Sequence, residues 1–154
     1  MQRIPEVETA KALMNEATTW SVMKWLREKK RVRKTADLAN DALDRMSLAV
    51  QEGWPAGVRA AYAALATPGN GKSAARESQQ DSPPIDAEMS LIVKKVKEAD
   101  EQAYRARMDA EKAFDDAEKQ LSTSLAREGC KKAIHSWDLH EKAIHKAEAV
   151  SSSK

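Results

Sequence analysis

The chain has 154 residues, 42% of them apolar and 32% charged, with a formal net charge of +2. That length sets one domain as the default, and the near-neutral balance argues against a dedicated nucleic-acid binder, whose domain is strongly basic. Cys130 is the sole cysteine, which excludes an internal disulfide and a cysteine metal knuckle; no apolar leader opens the N-terminus and no run approaches a ~20-residue membrane span, so a soluble, cytoplasmic protein without a transmembrane segment is expected.

From Pro5 to Glu52 there is no internal proline or glycine. Pro5 suits a first helical turn, and Glu6 and Glu8 follow where the helix dipole favours negative charge. Val22, Trp25, Val32, Ala36, Ala39, Leu43, Met46 and Val50 recur at three- and four-residue spacing, a heptad seam interrupted at Lys29. Before residue 20 the seam drifts, and Leu13, Ala17 and Trp20 form a separate stripe. Gly53 stands where a left-handed helix end is wanted, and Pro55 opens the next segment. Residues 55–66, PAGVRAAYAALA, predict a short helix with Val58, Tyr62 and Leu65 on one side.

The composition then changes. Residues 67–84 contain three of the five prolines and no Val, Ile, Leu, Met or aromatic residue. Such a segment lacks the apolar surface to offset its ordering entropy, and it reads as a flexible linker. At its start, ATPGNGKS (66–73) resembles a relaxed nucleotide-binding P-loop, Ala66-x-x-x-x-Gly71-Lys72-Ser73. A working phosphate loop joins a buried strand to a helix N-terminus. Here a helical pattern precedes the motif and two prolines follow it, so the segment marks a boundary rather than a nucleotide site.

Asp86 is placed to cap a second long helix. Met89, Ile92, Val93 and Val96 begin its seam, and Ala99, Ala103, Ala106, Ala110, Ala113 and Ala117 continue it. An alanine-lined seam lets a partner helix approach closely. Helix propensity dips at Ser122-Thr123-Ser124 and Gly129, which predicts a kink or break near Gly129. The pattern resumes through Ile134, Trp137, Ile144 and Ala147.

The expected fold is all-α: an elongated antiparallel hairpin of two long, coiled-coil-like helices plus one short helix. Residues 1–66 form the first arm with the short helix, 67–84 the linker, and 85–150 the arm that pairs back, all in a single domain. Antiparallel registry from the linker places residue 30 beside about 109 and Trp20 beside about 119.

The sharpest charge feature is KWLREKKRVRK (24–34), with Lys24, Arg27, Lys29, Lys30, Arg31, Arg33 and Lys34 around one acid, Glu28. Such a run tracks a phosphate backbone or an anionic membrane surface. The hairpin registry also sets it against DAEKAFDDAEK (109–119), where opposite charges would fix pairing. The sequence leaves both uses open.

His135, His140 and His145 are five residues apart, so successive rings rotate by about 140° and do not converge on one helix face. HEKAIH is one residue too long for the zinc spacing H-E-x-x-H. Lys131 and Lys132 follow Cys130 and would favour its thiolate, but no partner base is visible in the sequence, so Cys130 reads as a partly buried helix residue. No metal, cofactor or catalytic constellation is expected. Leu13, Trp20, Leu125, Ile134 and Trp137 exceed what one partner helix needs; they predict either a local cluster, if the chain folds back, or a dimer contact. The functional expectation is a non-catalytic scaffold or protein–protein interaction module, self-associating as a homodimer. The alternative is binding of nucleic acid or anionic membrane through 24–34.

Overall fold

The computed structural model describes residues 4–66 and 86–152, and every regular element among them is an α-helix. The linker expected over 67–84, with motif residues 67–73, lies outside the described residues. The helices are α1 (Pro5–Ala17), α2 (Val22–Glu52), α3 (Ala56–Ala66), α4 (Ala87–Gln120) and α5 (Thr123–Ser152), packed as a helical bundle.

The chain departs from a two-arm hairpin at two places. The first is Thr18-Thr19-Trp20-Ser21, where the expected single helix from Pro5 to Glu52 divides. The hydroxyls of Thr18 and Thr19 donate back to the carbonyls of Asn15 (2.6 Å) and Glu16 (2.7 Å), competing with continuation of the helix. Ser21 then starts α2, its hydroxyl accepting the Lys24 amide at 3.2 Å. α1 folds back on α2 and carries its stripe inward: Val7, Ala10, Leu13, Met14 and Ala17 are buried.

The second departure is the turn at Leu121 and Ser122, at the start of the expected dip over Ser122-Thr123-Ser124 and not at Gly129 itself. Leu121 has φ 50° and ψ 45°, the one non-glycine residue with positive φ among the described residues. This left-handed step ends α4, and the Ser122 hydroxyl accepts the Leu125 amide at 3.2 Å to begin α5. The alanine seam of α4 therefore finds its main partner in α5 rather than in α2. α5 runs unbroken through Gly129, whose missing side chain serves packing: a Cβ there would lie 2.9 Å from the Phe114 ring.

Gly53 also differs from expectation. It closes α2 in right-handed geometry (φ −79°), so glycine's conformational freedom is not used there. The last α2 turn is secured by Trp54, buried, with Nε1 donating to the Ala147 carbonyl at 2.9 Å.

Two apolar clusters result. The larger runs through α1, α2, α4 and α5, with Val32, Leu43, Phe114, Trp137 and Ile144 among its buried members. The smaller joins Trp54, Val58, Val93, Val96, Ala147 and Val150 beneath α3. Cross-links fix directions. Trp137 Nε1 donates to Asn40 Oδ1 at 2.8 Å, which with the Trp54–Ala147 bond makes α2 and α5 run parallel. Arg33 meets Asp115 and Glu118 while Asp44 meets Arg107, so α2 and α4 are antiparallel. The registry is shifted by roughly three turns from the expected one, because four helices, not two, share the core.

Beside the smaller cluster, Tyr62 Oη donates to Asp100 Oδ2 and joins α3 to α4. Burial raises the Asp100 carboxyl above its ordinary range, which the Tyr62 hydrogen bond and Lys97 only partly oppose. Tyr62→Phe is expected to lower stability by about 1.5–3 kcal/mol, since it leaves a buried carboxyl without its donor. Adding Asp100→Asn should recover part of that loss in urea denaturation at neutral pH.

Candidate functional site

The Ser21 cap begins α2 at the basic stretch, and the helix then sorts its side chains by direction. Trp25 and Val32 turn inward and are buried. Arg33 turns toward α4, with Nη2 2.6 Å from Asp115 Oδ1 and Nε 2.9 Å from Glu118 Oε1. Arg31 pairs along its own helix with Glu28 at 3.1 Å. Lys24 and Arg31 also lie over the ring of Trp20, at 5.3 and 6.0 Å from its centroid.

Arg27, Lys30 and Lys34 are exposed. Their spacing of three and four residues puts them on one outward stripe. Met23, 70% exposed, continues that stripe one turn toward the helix start. Among the described residues, Lys24, Arg27, Lys29, Lys30 and Lys34 make no ion pair. The two uses the sequence leaves open are thus divided between side chains: Arg33 sets registry against the acidic stretch, and the outward stripe stays free.

The same end of the bundle adds further cations. Lys119 in the last turn of α4, and Arg127 and Lys131 in the first turns of α5, are exposed. Three nearby acids, Glu28, Glu118 and Glu128, are held by Arg31, Arg33 and Lys132. Each pair spends one cation per acid, and what stays unpaired there among the described residues is Lys24, Arg27, Lys29, Lys30, Lys34, Lys119, Arg127 and Lys131 against Asp116.

No protein-family model, curated protein or solved structure matches the chain.

The expected association surface has a different fate. Trp20, Trp137 and Leu13 are buried in the larger cluster, with Leu125 and Ile134 packed against it, so all five join one core within the chain. Of the two alternatives the sequence offers, this is the local cluster. A dimer contact through Leu13, Trp20 or Trp137 would require the bundle to open, whereas Leu125 and Ile134 are half-buried.

Titratable groups with catalytic precedent also lie inside. The Cys130 thiol is buried, and burial pushes its pKa up to about 11. The flanking lysines do not reverse this, since Lys131 is exposed and Lys132 is held by Glu128. His140 is buried against Tyr104, edge to face at 5.1 Å, while His135 and His145 are exposed. Burial, reinforced by Arg107, pushes the His140 pKa down to about 4, so the ring is neutral. Arg107 is forked onto Asp44 at 3.0 and 3.2 Å. Among the described residues no three His, Cys, Asp or Glu side chains come together as a metal cage.

A cleft of about 90 Å³ lies among α2, α4 and α5, lined by Arg33, Asp37, Asn40, Arg107, Glu111 and Trp137. That is well below the ~300–1,000 Å³ of ordinary ligand sites, and Arg33, Asn40, Arg107 and Trp137 are committed to the contacts above. The depression of about 490 Å³ along Leu65 and Leu91, between α3 and α4, has Lys94 as its titratable group. No helix among the described residues is long and apolar enough to cross a membrane.

Sequence reasoning missed Met23, Leu121 and the Asp44–Arg107 fork. Met23 and Leu121 were legible only as apolar residues. Their exposure depends on where the chain turns.

Proposed function

We propose that the protein is a non-catalytic helical interaction module that docks a polyanionic partner through the outward face of the first turns of α2. The observation that carries this reading is the stripe Arg27, Lys30, Lys34, exposed and without ion pairs among the described residues. Arg33, one position away, spends its charge internally, so the stripe is what remains for a partner. The non-catalytic part rests on the engagement of Cys130, His140 and Asp100 in the interior. Self-association through Trp20 and Trp137 loses support because those side chains already fill their own core.

Heparin retention across a salt series tests the reading, since backbone-type polyanion binding falls steeply with salt. Reversal of Arg27, Lys30 and Lys34 to Glu is expected to abolish retention at physiological salt. Lys94→Glu with Lys95→Glu, exposed on α4 and away from the stripe, should elute as the native protein does. A triple variant eluting unchanged would sink the proposal.

A further inference from the structure

The turn at Leu121 is unusual in its backbone. Leucine occupies a left-handed backbone position (φ 50°, ψ 45°) where glycine or asparagine is the ordinary residue. Its side chain is nonetheless 59% exposed, so packing within the chain does not repay that conformation. Met23, at the second position of α2, is 70% exposed.

Both apolar side chains sit at the same end of the bundle. α2 begins there, and Arg33 reaches Asp115 and Glu118 in the final turns of α4, just before Leu121. Lys24 and Arg27 follow Met23 within a turn, Lys119 precedes Leu121, and Arg127 lies in the second turn of α5. None of these four cations makes an ion pair among the described residues. The end therefore presents two apolar points set among Lys and Arg.

We infer that the polyanion is the surface of an anionic bilayer, met by this end of the bundle with Met23 and Leu121 entering the headgroup layer. This deepens the proposed function and rests on it. A nucleic acid would use the cations but has no need of an exposed Leu and Met beside them. A lipid surface uses both, since interfacial binding combines buried apolar area with attraction to anionic headgroups. No crossing of the bilayer is involved.

The test is co-sedimentation of the full chain with vesicles of phosphatidylcholine alone or with phosphatidylserine, alongside heparin and a single-stranded oligonucleotide. Binding is expected to phosphatidylserine vesicles, weakening with salt, and not to phosphatidylcholine alone. Leu121→Gly suits the left-handed turn, so the variant should fold at least as stably as the native chain. It should still bind vesicles about tenfold more weakly, and Met23→Ser should act in the same direction. Retention on heparin by Leu121→Gly should equal that of the native protein. Vesicle binding unchanged in Leu121→Gly, or binding to oligonucleotide and heparin but not to vesicles, overturns the membrane inference and leaves the basic stripe standing. Failure to bind any of the three overturns both.

Discussion

Lowering the pH from 7 to 4.5 is expected to remove about 2.5 kcal/mol of stability through His140 alone. In the fold its pKa is held near 4, first by burial and then by the Arg107 charge, with Asp44 opposing. In the unfolded chain it returns to about 6.5. Below pH 6.5 the unfolded state takes a proton that the folded state refuses, so stability falls with pH until about 4 and then levels off. The groups facing the ring are Tyr104 and Arg107 from α4 and Asp44 from α2, with Arg107 and Asp44 already forked together. His140→Leu should keep most of the stability at pH 7 and lose this part of the acid limb. Urea denaturation of both proteins at pH 7 and 4.5 measures the difference, and an equally steep loss in the variant would refute the assignment. His135→Leu and His145→Leu, at exposed positions, serve as controls.

The His140 case shows what a sequence pattern can and cannot carry. Five-residue spacing correctly says that the three rings do not share a helix face, but it does not say which one goes inside. That choice was made by the fold-back at Leu121, which laid α5 against both α4 and α2. The same event decides the tryptophans. Trp25 and the seam through Val32, Ala39 and Leu43 were legible from α2 alone, and they are buried as the periodicity requires. Trp20 and Trp137 were legible only as excess apolar surface, because their partner was a turn away in each direction. The all-helical class follows from periodicity and composition; the number of helices in the core followed from two short breaks.

Those breaks left traces of unequal strength. Thr18-Thr19-Trp20-Ser21 contains two β-branched hydroxyl residues and an N-cap, each a recognised competitor of a continuing helix. The seam already drifted there, so the division was marked in the sequence. At Leu121-Ser122 the trace was the dip in helix propensity over Ser122-Thr123-Ser124, which the sequence shares with Gly129 eight positions on. Glycine lowers helix propensity, yet Gly129 sits inside α5 as a close-contact residue. The basic stretch was legible as a charge run, and its opposition to the acidic stretch held through Arg33 despite the shifted registry. Which of its cations stay free depends on helix phase, which was set once Trp25 and Val32 had turned inward.

Gly129 packs directly against the Phe114 ring. An added methyl would stand 2.9, 3.0 and 3.2 Å from three atoms of the Phe114 ring, closer than carbon atoms pack. Helix propensity alone favours Gly129→Ala by up to about 1 kcal/mol. Overpacking a tight contact costs about 1–3 kcal/mol, so the single variant is expected to be less stable than native by about 1 kcal/mol. Phe114 is buried in the larger cluster, and Phe114→Ala is expected to lose about 3–5 kcal/mol. In that background the steric term disappears, the new methyl fills part of the hole and the propensity gain returns. Gly129→Ala should then stabilise by about 1 kcal/mol, reversing its sign, with a coupling of about 2 kcal/mol by double-mutant cycle in urea. Additive effects would mean that α4 and α5 are not in contact at this level. Phe114 lies two turns before Leu121, so the contact also fixes how the Leu121 turn is presented. Gly129→Ala and Phe114→Ala, which each disturb that contact, are therefore both expected to weaken vesicle binding further than their stability losses alone account for.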